Sequence, residues 1–309
     1  MTSPRRRARA SAGRWMGWVL GASVLVAGSS ALAASSAVDL FYERTLMSTA
    51  DARCRLFEPT VGAALNSARA QARGAALRSG TAPDSLAAVE RRARAKAGTA
   101  ACDSPDLRLA ANRVRTAFDG YARLIRMNWP GDLAGWSGNR TVTRQGAMWR
   151  LSQPAAFGHD RMIFGLGGEE GGGVLLASVS FADGRTPYAA KLVMRDPTRA
   201  PTPYLDRRRA GAKGVIPLYG RLPPADALRG FSAESRSAAS ERLRPQGTKA
   251  GLLYRFPTRA ADALAELDPR EAVAVDFVFS GLRGDEVRRA YVEVGDFAAG
   301  RAFLQVTPR

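Results

Sequence analysis

The apolar positions of this chain change period near its middle. From Val38 they recur at three- and four-residue spacing, so that Met47, Ala50, Cys54, Phe57 and Val61 share one helical face. Glu58-Pro59 interrupts the stripe, and proline suits the first turn of a new helix. Val61, Leu65, Ala68, Ala72 and Ala75 continue it. Gly80, Pro83 and Asp84 mark a turn before an Ala-rich helix from about Ser85 to Ala97, with Leu86 and Val89 as its larger apolar groups and Gly98 at its end. Ser104-Pro105 opens a fourth helix whose stripe (Leu107, Ala111, Val114, Phe118, Tyr121, Ile125) is the clearest in the chain, and Trp129-Pro130-Gly131 stops it. Residues 38–130 therefore predict a small four-helix region, a bundle or two packed hairpins.

After Asn139 the period shortens. Val174 to Phe181 reads as a strand, Asp183-Gly184 as a two-residue hairpin turn, and Tyr188 to Met194 as the returning strand. Val273 to Phe279 and Arg289 to Val294 form a second pair about Gly281 and Gly284-Asp285. Gly295-Asp296 and Gly300 turn again before a last strand, Ala302 to Val306. Shorter candidates are Thr141 to Val142, Met148 to Leu151, Met162 to Phe164 and Leu252 to Phe256. Helices are expected at Arg259 to Leu267, ended by Asp268-Pro269, and from Ala225 to Leu243. The expected fold class is α+β: an N-terminal signal or anchor helix, the helical region, then an antiparallel β-sandwich or partly open barrel over residues 140–309. Residues 196–213 (DPTRAPTPYLDRRRAGAK) are Pro-rich and basic, cannot be a central strand, and predict a long loop of the kind kept for function or mobility.

Charge changes the picture next. The chain has 46 basic and 28 acidic residues, a net +18, and all but four of the basic residues are arginine. An arginine- and alanine-rich chain reflects a GC-rich genome as well as selection, yet such a charge still attracts polyanions. Five arginines fall in residues 4–14, and the uncharged run WMGWVLGASVLVAGSSALA follows at 15–33. Ala31-Leu32-Ala33 ends it as a small-x-small cleavage site. Residues 1–33 thus read as a signal peptide; the alternative is an uncleaved inner-membrane anchor. Both readings export the body, to the periplasm or beyond, and cleavage would leave it at +13 once five arginines are removed from +18. Nucleic acid is then not an expected partner, and aromatic–basic interleaving and nucleic-acid motifs are absent.

Two cysteines in an exported chain predict a disulfide, Cys54–Cys102, within the helical region. Two cysteines and one histidine do not make a zinc site, and no P-loop, dinucleotide fingerprint or G-x-S-x-G elbow appears. No metal or cofactor is expected. Catalysis has two weak footholds. His159-Asp160 is the one His–acid neighbour pair, but adjacent side chains diverge and no nucleophile motif accompanies them, so a turn histidine is the expectation. Glu169 and Glu170, inside a glycine-rich run, could serve as acid and base or hold a hard cation, although adjacent glutamates do not face one another. A flexible hairpin tip is expected there.

For binding, Arg199, Tyr204, Arg207, Arg208 and Arg209 in the Pro-rich loop offer bidentate donors to phosphate or carboxylate. Trp129, Trp136 and Trp149 could stack on sugar rings, and the expected reading is a packed seam between the two regions. These features favour an exported, non-catalytic envelope protein for binding or assembly, its partners being anionic envelope polymers such as lipid headgroups or acidic glycans, or another envelope protein. The inner membrane joins them if the leader is retained. The alternative is a periplasmic hydrolase or lyase using His159 and carboxylates.

Overall fold

The computed structural model describes residues 27–142, 145–169, 173–211 and 214–306, with 27–35 as helical backbone alone. Four helices come first: α1 (Ala27–Cys54), α2 (Pro59–Arg78), α3 (Pro83–Thr99) and α4 (Pro105–Ala122). Three of them begin with proline, whose missing N–H costs nothing in a first turn. The Ser104 hydroxyl accepts from Leu107 N and caps α4. A disulfide joins Cys54 at the end of α1 to Cys102 just before α4, with Cα atoms 5.6 Å apart. The position expected for cleavage falls inside α1, while residues 1–26 of the predicted leader lie outside the described residues. Among the described residues no helix is long and apolar enough to cross a membrane.

Eleven strands form two antiparallel sheets among the described residues, and neither closes into a barrel. The larger contains β1 (Arg126–Trp129), β2 (Trp136–Asn139), β3 (Met148–Phe157), β4 (Asp160–Gly168), β5 (Val174–Ser180), β9 (Leu252–Arg255) and β8 (Ser235–Ala238), in that spatial order. The smaller runs β11 (Gly284–Glu293), β10 (Ala272–Gly281), β6 (Ala189–Arg195), β7 (Leu228–Ser232). One apolar core lies between them. Leu151, Phe164, Leu166 and Ala177 enter it from the larger sheet, and Leu192, Met194, Val275, Phe277 and Val292 from the smaller. Helices α5 (Thr258–Ala265) and α6 (Phe297–Leu304) pack against one another and add Ala260, Leu264, Phe297 and Phe303 to it.

Six expectations are corrected. The Asp183-Gly184 turn exists, with Gly184 at φ +70°, but it is no hairpin: β5 and β6 belong to different sheets, and the chain crosses the core between them. Ala302 to Val306 is not a strand. It ends α6, because Phe297, Gly300, Phe303 and Leu304 bury at helical spacing. Gly300, expected in a turn, lies inside that helix, where a Cβ would stand 2.5 Å from Leu151 Cδ1. Ala225 to Leu243 is not a helix but a short 3₁₀ turn followed by β7 and β8; its helix-forming alanines lack an apolar stripe, and pairing with β6 and β9 wins. The fourth helix stops at Ala122, so Ile125 is exposed and the chain turns into β1. Thr141 to Val142 is loop, and the strand there is Trp136–Asn139.

The helical region and the sheets share contacts through α2, α4 and α6. The Arg78 guanidinium pairs with Asp296 at 2.7 Å, and the Ser67 hydroxyl donates to Ala299 O. Arg140, nearly inaccessible, donates to the carbonyls of Leu124, Tyr121 and Val306 and lies 3.9 Å from the Phe303 ring centroid. One guanidinium thus satisfies open carbonyls at the ends of α4 and α6.

Candidate anion-binding surface

The Pro-rich stretch belongs to the long connection from β6 to β7, and it does not float. Residues of opposite parity to the core, Val193 of β6 and Ala274 of β10, face outward from the smaller sheet, and Leu222 of the connection packs on them with Leu228 and Tyr291. Two buried ion pairs fix the rest. At the start, Arg195 forms a bidentate pair with Glu271 at 2.6 and 2.9 Å, and Arg195 Nη1 donates to Ala200 O. Glu271 is fully buried, and its carboxylate also accepts from Tyr204 N and Asp268 N. Near the end, Arg221 donates to Ile216 O at 2.7 Å and to Asp132 Oδ2 at 3.0 Å, with Glu293 Oε1 at 3.8 Å. Glu293, also fully buried, accepts the backbone N–H groups of Asp132, Leu133 and Ala134.

Held at both ends, the connection presents Arg207–Arg209 as one 3₁₀ turn. Asp206 caps it: its carboxylate accepts from Arg208 N at 3.1 Å, Arg208 Nε at 3.3 Å and Arg209 Nε at 3.1 Å. Burial opposes ionisation of Asp206, but the bonds from Arg208 and the charges around it outweigh that and hold its carboxyl below the usual range. Arg207 and Arg208 project into solvent, the Arg208 side chain 91% exposed. The Arg209 guanidinium lies 5.3 Å from the Tyr219 ring centroid. Beside it a groove of about 310 Å³ is lined by Tyr204, Arg209, Tyr219, Pro223, Pro224 and Tyr291.

The structure thus brings together Arg207, Arg208, Arg209 and Tyr204. Arg199 sits on a separate turn, bonded to Asp226 O at 3.2 Å and 3.6 Å from Asp196. Tyr219 and Tyr291 were missed by sequence reasoning. Tyr219 carried a signal, an aromatic residue inside the second proline cluster of the same loop (Pro217, Pro223, Pro224). Tyr291 carried none, because in the sequence it is one more strand residue.

The other candidates separate. His159 is exposed at the tip of the β3–β4 hairpin, after Gly158 at φ +60°. It borders a hollow of about 470 Å³ with Asp160, Asp183 and Arg288. Both carboxylates are turned to other partners. Asp160 accepts from Ala182 N and Arg288 Nη1, and Asp183 accepts from Arg288 Nη2 at 2.5 Å. The bond from Arg288, with that from Arg185 N, holds the Asp183 carboxyl below the usual range. Glu169 is exposed at the end of β4, and Glu170 lies outside the described residues. Among the described residues no group of three His, Cys, Asp or Glu could hold a metal. Trp129 and Trp136 are paired across β1 and β2 and buried against Phe303 and Phe297, so they pack a seam and are closed to ligands. Trp149 is half-buried on the outer side of the larger sheet. Comparison with protein-family models, with curated proteins and with solved structures returns no match.

Proposed function

We propose that this is an exported, non-catalytic protein of the cell envelope that binds anionic polymers through the Arg207–Arg209 turn. One observation carries the reading: three consecutive arginines stand on a turn capped by Asp206 and anchored by buried ion pairs, beside a tyrosine-lined groove. A pre-set cationic turn loses little entropy when it meets phosphate or carboxylate. The disulfide suits an oxidising compartment, and the charged, apolar and small-residue order of residues 4–33 supports export. The two sheets then act as a sandwich that carries the turn on its outer surface. The hydrolase or lyase reading is less well supported, because Arg288 occupies the carboxylates near His159.

The test uses soluble polyphosphate as the probe. The full chain should bind it, and affinity should fall as salt rises, since several phosphate contacts release counterions together. Absence of binding at low salt, or binding indifferent to salt, overturns the proposal.

A further inference from the structure

The outer face of the larger sheet carries a second, independent site, and we infer that it binds an acidic saccharide. Over β4 and β5 this face is covered by the 239–251 segment: Leu243 is buried beside Leu176, close over Gly167. Over β1, β2 and β3 no other described residue covers it, and a groove of about 630 Å³ lies between these strands and the cover.

The strand register shows what lines the floor. Asn128 pairs with Ser137, and Ser137 with Ser152, so three short hydrogen-bonding side chains form one row across three strands. Their chain neighbours Trp129, Trp136, Gly138 and Leu151 are buried, which places the row on the outward side. The row covers two inter-strand gaps, about 10 Å. A second row, Arg126 opposite Asn139, lies one pleat away. The Asn139 side-chain oxygen accepts from Thr141 N at 2.9 Å, which turns its amide donors elsewhere. At the covered end stands Trp149, its indole held by a 3.2 Å bond from Nε1 to Leu243 O, beside Arg242.

The occupant follows from this chemistry. A flat array of hydroxyls and amides matches a polyol, donor to acceptor and acceptor to donor. A fixed indole at one end offers a ring face for the C–H side of a sugar. Arg126 borders the groove and, among the described residues, no carboxylate lines it, so the complementary ligand carries negative charge; Arg242, on the same border, is bonded to Gln145 Oε1. Among the described residues, an apolar peptide would find only Met148 and Trp149 to bury. The site shares no residue with the arginine turn, which belongs to the smaller sheet's outer face.

Calorimetric titration of the full chain with trigalacturonate tests this. It should bind, and the neutral maltotriose and the non-sugar anion citrate should bind at least about tenfold more weakly, a gap of about 1.4 kcal/mol. Arg126→Ala should weaken trigalacturonate about fivefold. Trp149→Ala should weaken it about tenfold. Ser137→Tyr, which fills the floor from an exposed strand position, should remove binding, and with Arg126→Ala it carries the test if the Trp149 variant fails to fold. Reversing Arg207, Arg208 and Arg209 to glutamate should weaken trigalacturonate by no more than the severalfold that long-range charge supplies. No heat with trigalacturonate, equal affinity for maltotriose or citrate, or full affinity in Arg126→Ala and Ser137→Tyr would overturn the inference.

Discussion

The Arg195–Glu271 clamp decides whether the arginine turn is presented or merely tethered, and Glu271→Gln tests it with almost no change of shape. Glu271 is fully buried and Arg195 is 5% exposed, and four donors converge on the one carboxylate. The substitution keeps an acceptor oxygen but turns the other oxygen into a donor facing N–H groups, and it leaves the Arg195 guanidinium charged and unpaired away from water. Breaking a buried pair this way costs about 3–5 kcal/mol, a large share of the roughly 5–15 kcal/mol that holds a domain folded. With a urea dependence of about 2–3 kcal/mol/M, the unfolding midpoint should fall by about 1.5 M. Trypsin should also begin to cleave at Arg207–Arg209 in the folded protein, because the turn's near anchor is lost. The double variant Arg195→Met, Glu271→Gln should be more stable than Glu271→Gln alone, since the unpaired guanidinium is gone. A cost below about 1 kcal/mol for Glu271→Gln, or a double variant less stable than the single, would refute this account of the clamp.

Replacing Cys54 and Cys102 by alanine should cost about 4 kcal/mol from the 48-position loop they close, read by thermal or urea unfolding against the oxidised protein; unchanged stability would contradict it. Burial raises the Asp296 carboxyl above its ordinary value, with Arg78 pulling the other way and losing. A raised folded-state pKa means stability present at acid pH and lost as pH rises through that value. The stability of wild type relative to Asp296→Asn should therefore fall as pH rises above the ordinary carboxylate range, and a rise would show that Arg78 governs instead. A reporter enzyme active only outside the cytoplasm, fused after Arg309, should be active, and mass spectrometry should place Ala34 at the mature N-terminus. An inactive reporter defeats export, and an intact Met1 defeats cleavage alone.

The second, third and fourth helices were legible in the sequence because of their punctuation: Pro59 and Ser104-Pro105 start two of them, the turn residues Gly80, Pro83 and Asp84 announce the third, and the stripe from Leu107 to Tyr121 has one period. The β10–β11 hairpin was legible for the same reason, between Gly281 and Gly284. What failed was set by distant partners. Nothing local to Asp183-Gly184 distinguishes a hairpin from a crossing between sheets; the difference lies in β5 pairing with β4 and β9 while β6 pairs with β10 and β7. The last apolar run was misread because the window began at Ala302, after Phe297 and Gly300 had already set a helical face against Trp136 and Leu151. Of the candidate site, the arginines were visible as composition. The anchors beneath them were not, since Arg195, Arg221, Glu271 and Glu293 come from separate strands and loops and read as ordinary surface charges until the fold buries them.

The central claim is that the arginine turn, and not net charge, makes this surface bind anions. Two sets of three reversals change the net charge equally: Arg207, Arg208 and Arg209 to glutamate in the turn, and Arg91, Arg92 and Arg94 to glutamate on the exposed side of α3. Exposed contacts worth about 1 kcal/mol each predict that the turn set weakens polyphosphate binding roughly hundredfold at low salt. The α3 set should weaken it only by the severalfold that long-range charge supplies. Equal losses from the two sets would contradict the account and leave the turn as one stretch of a uniformly basic surface.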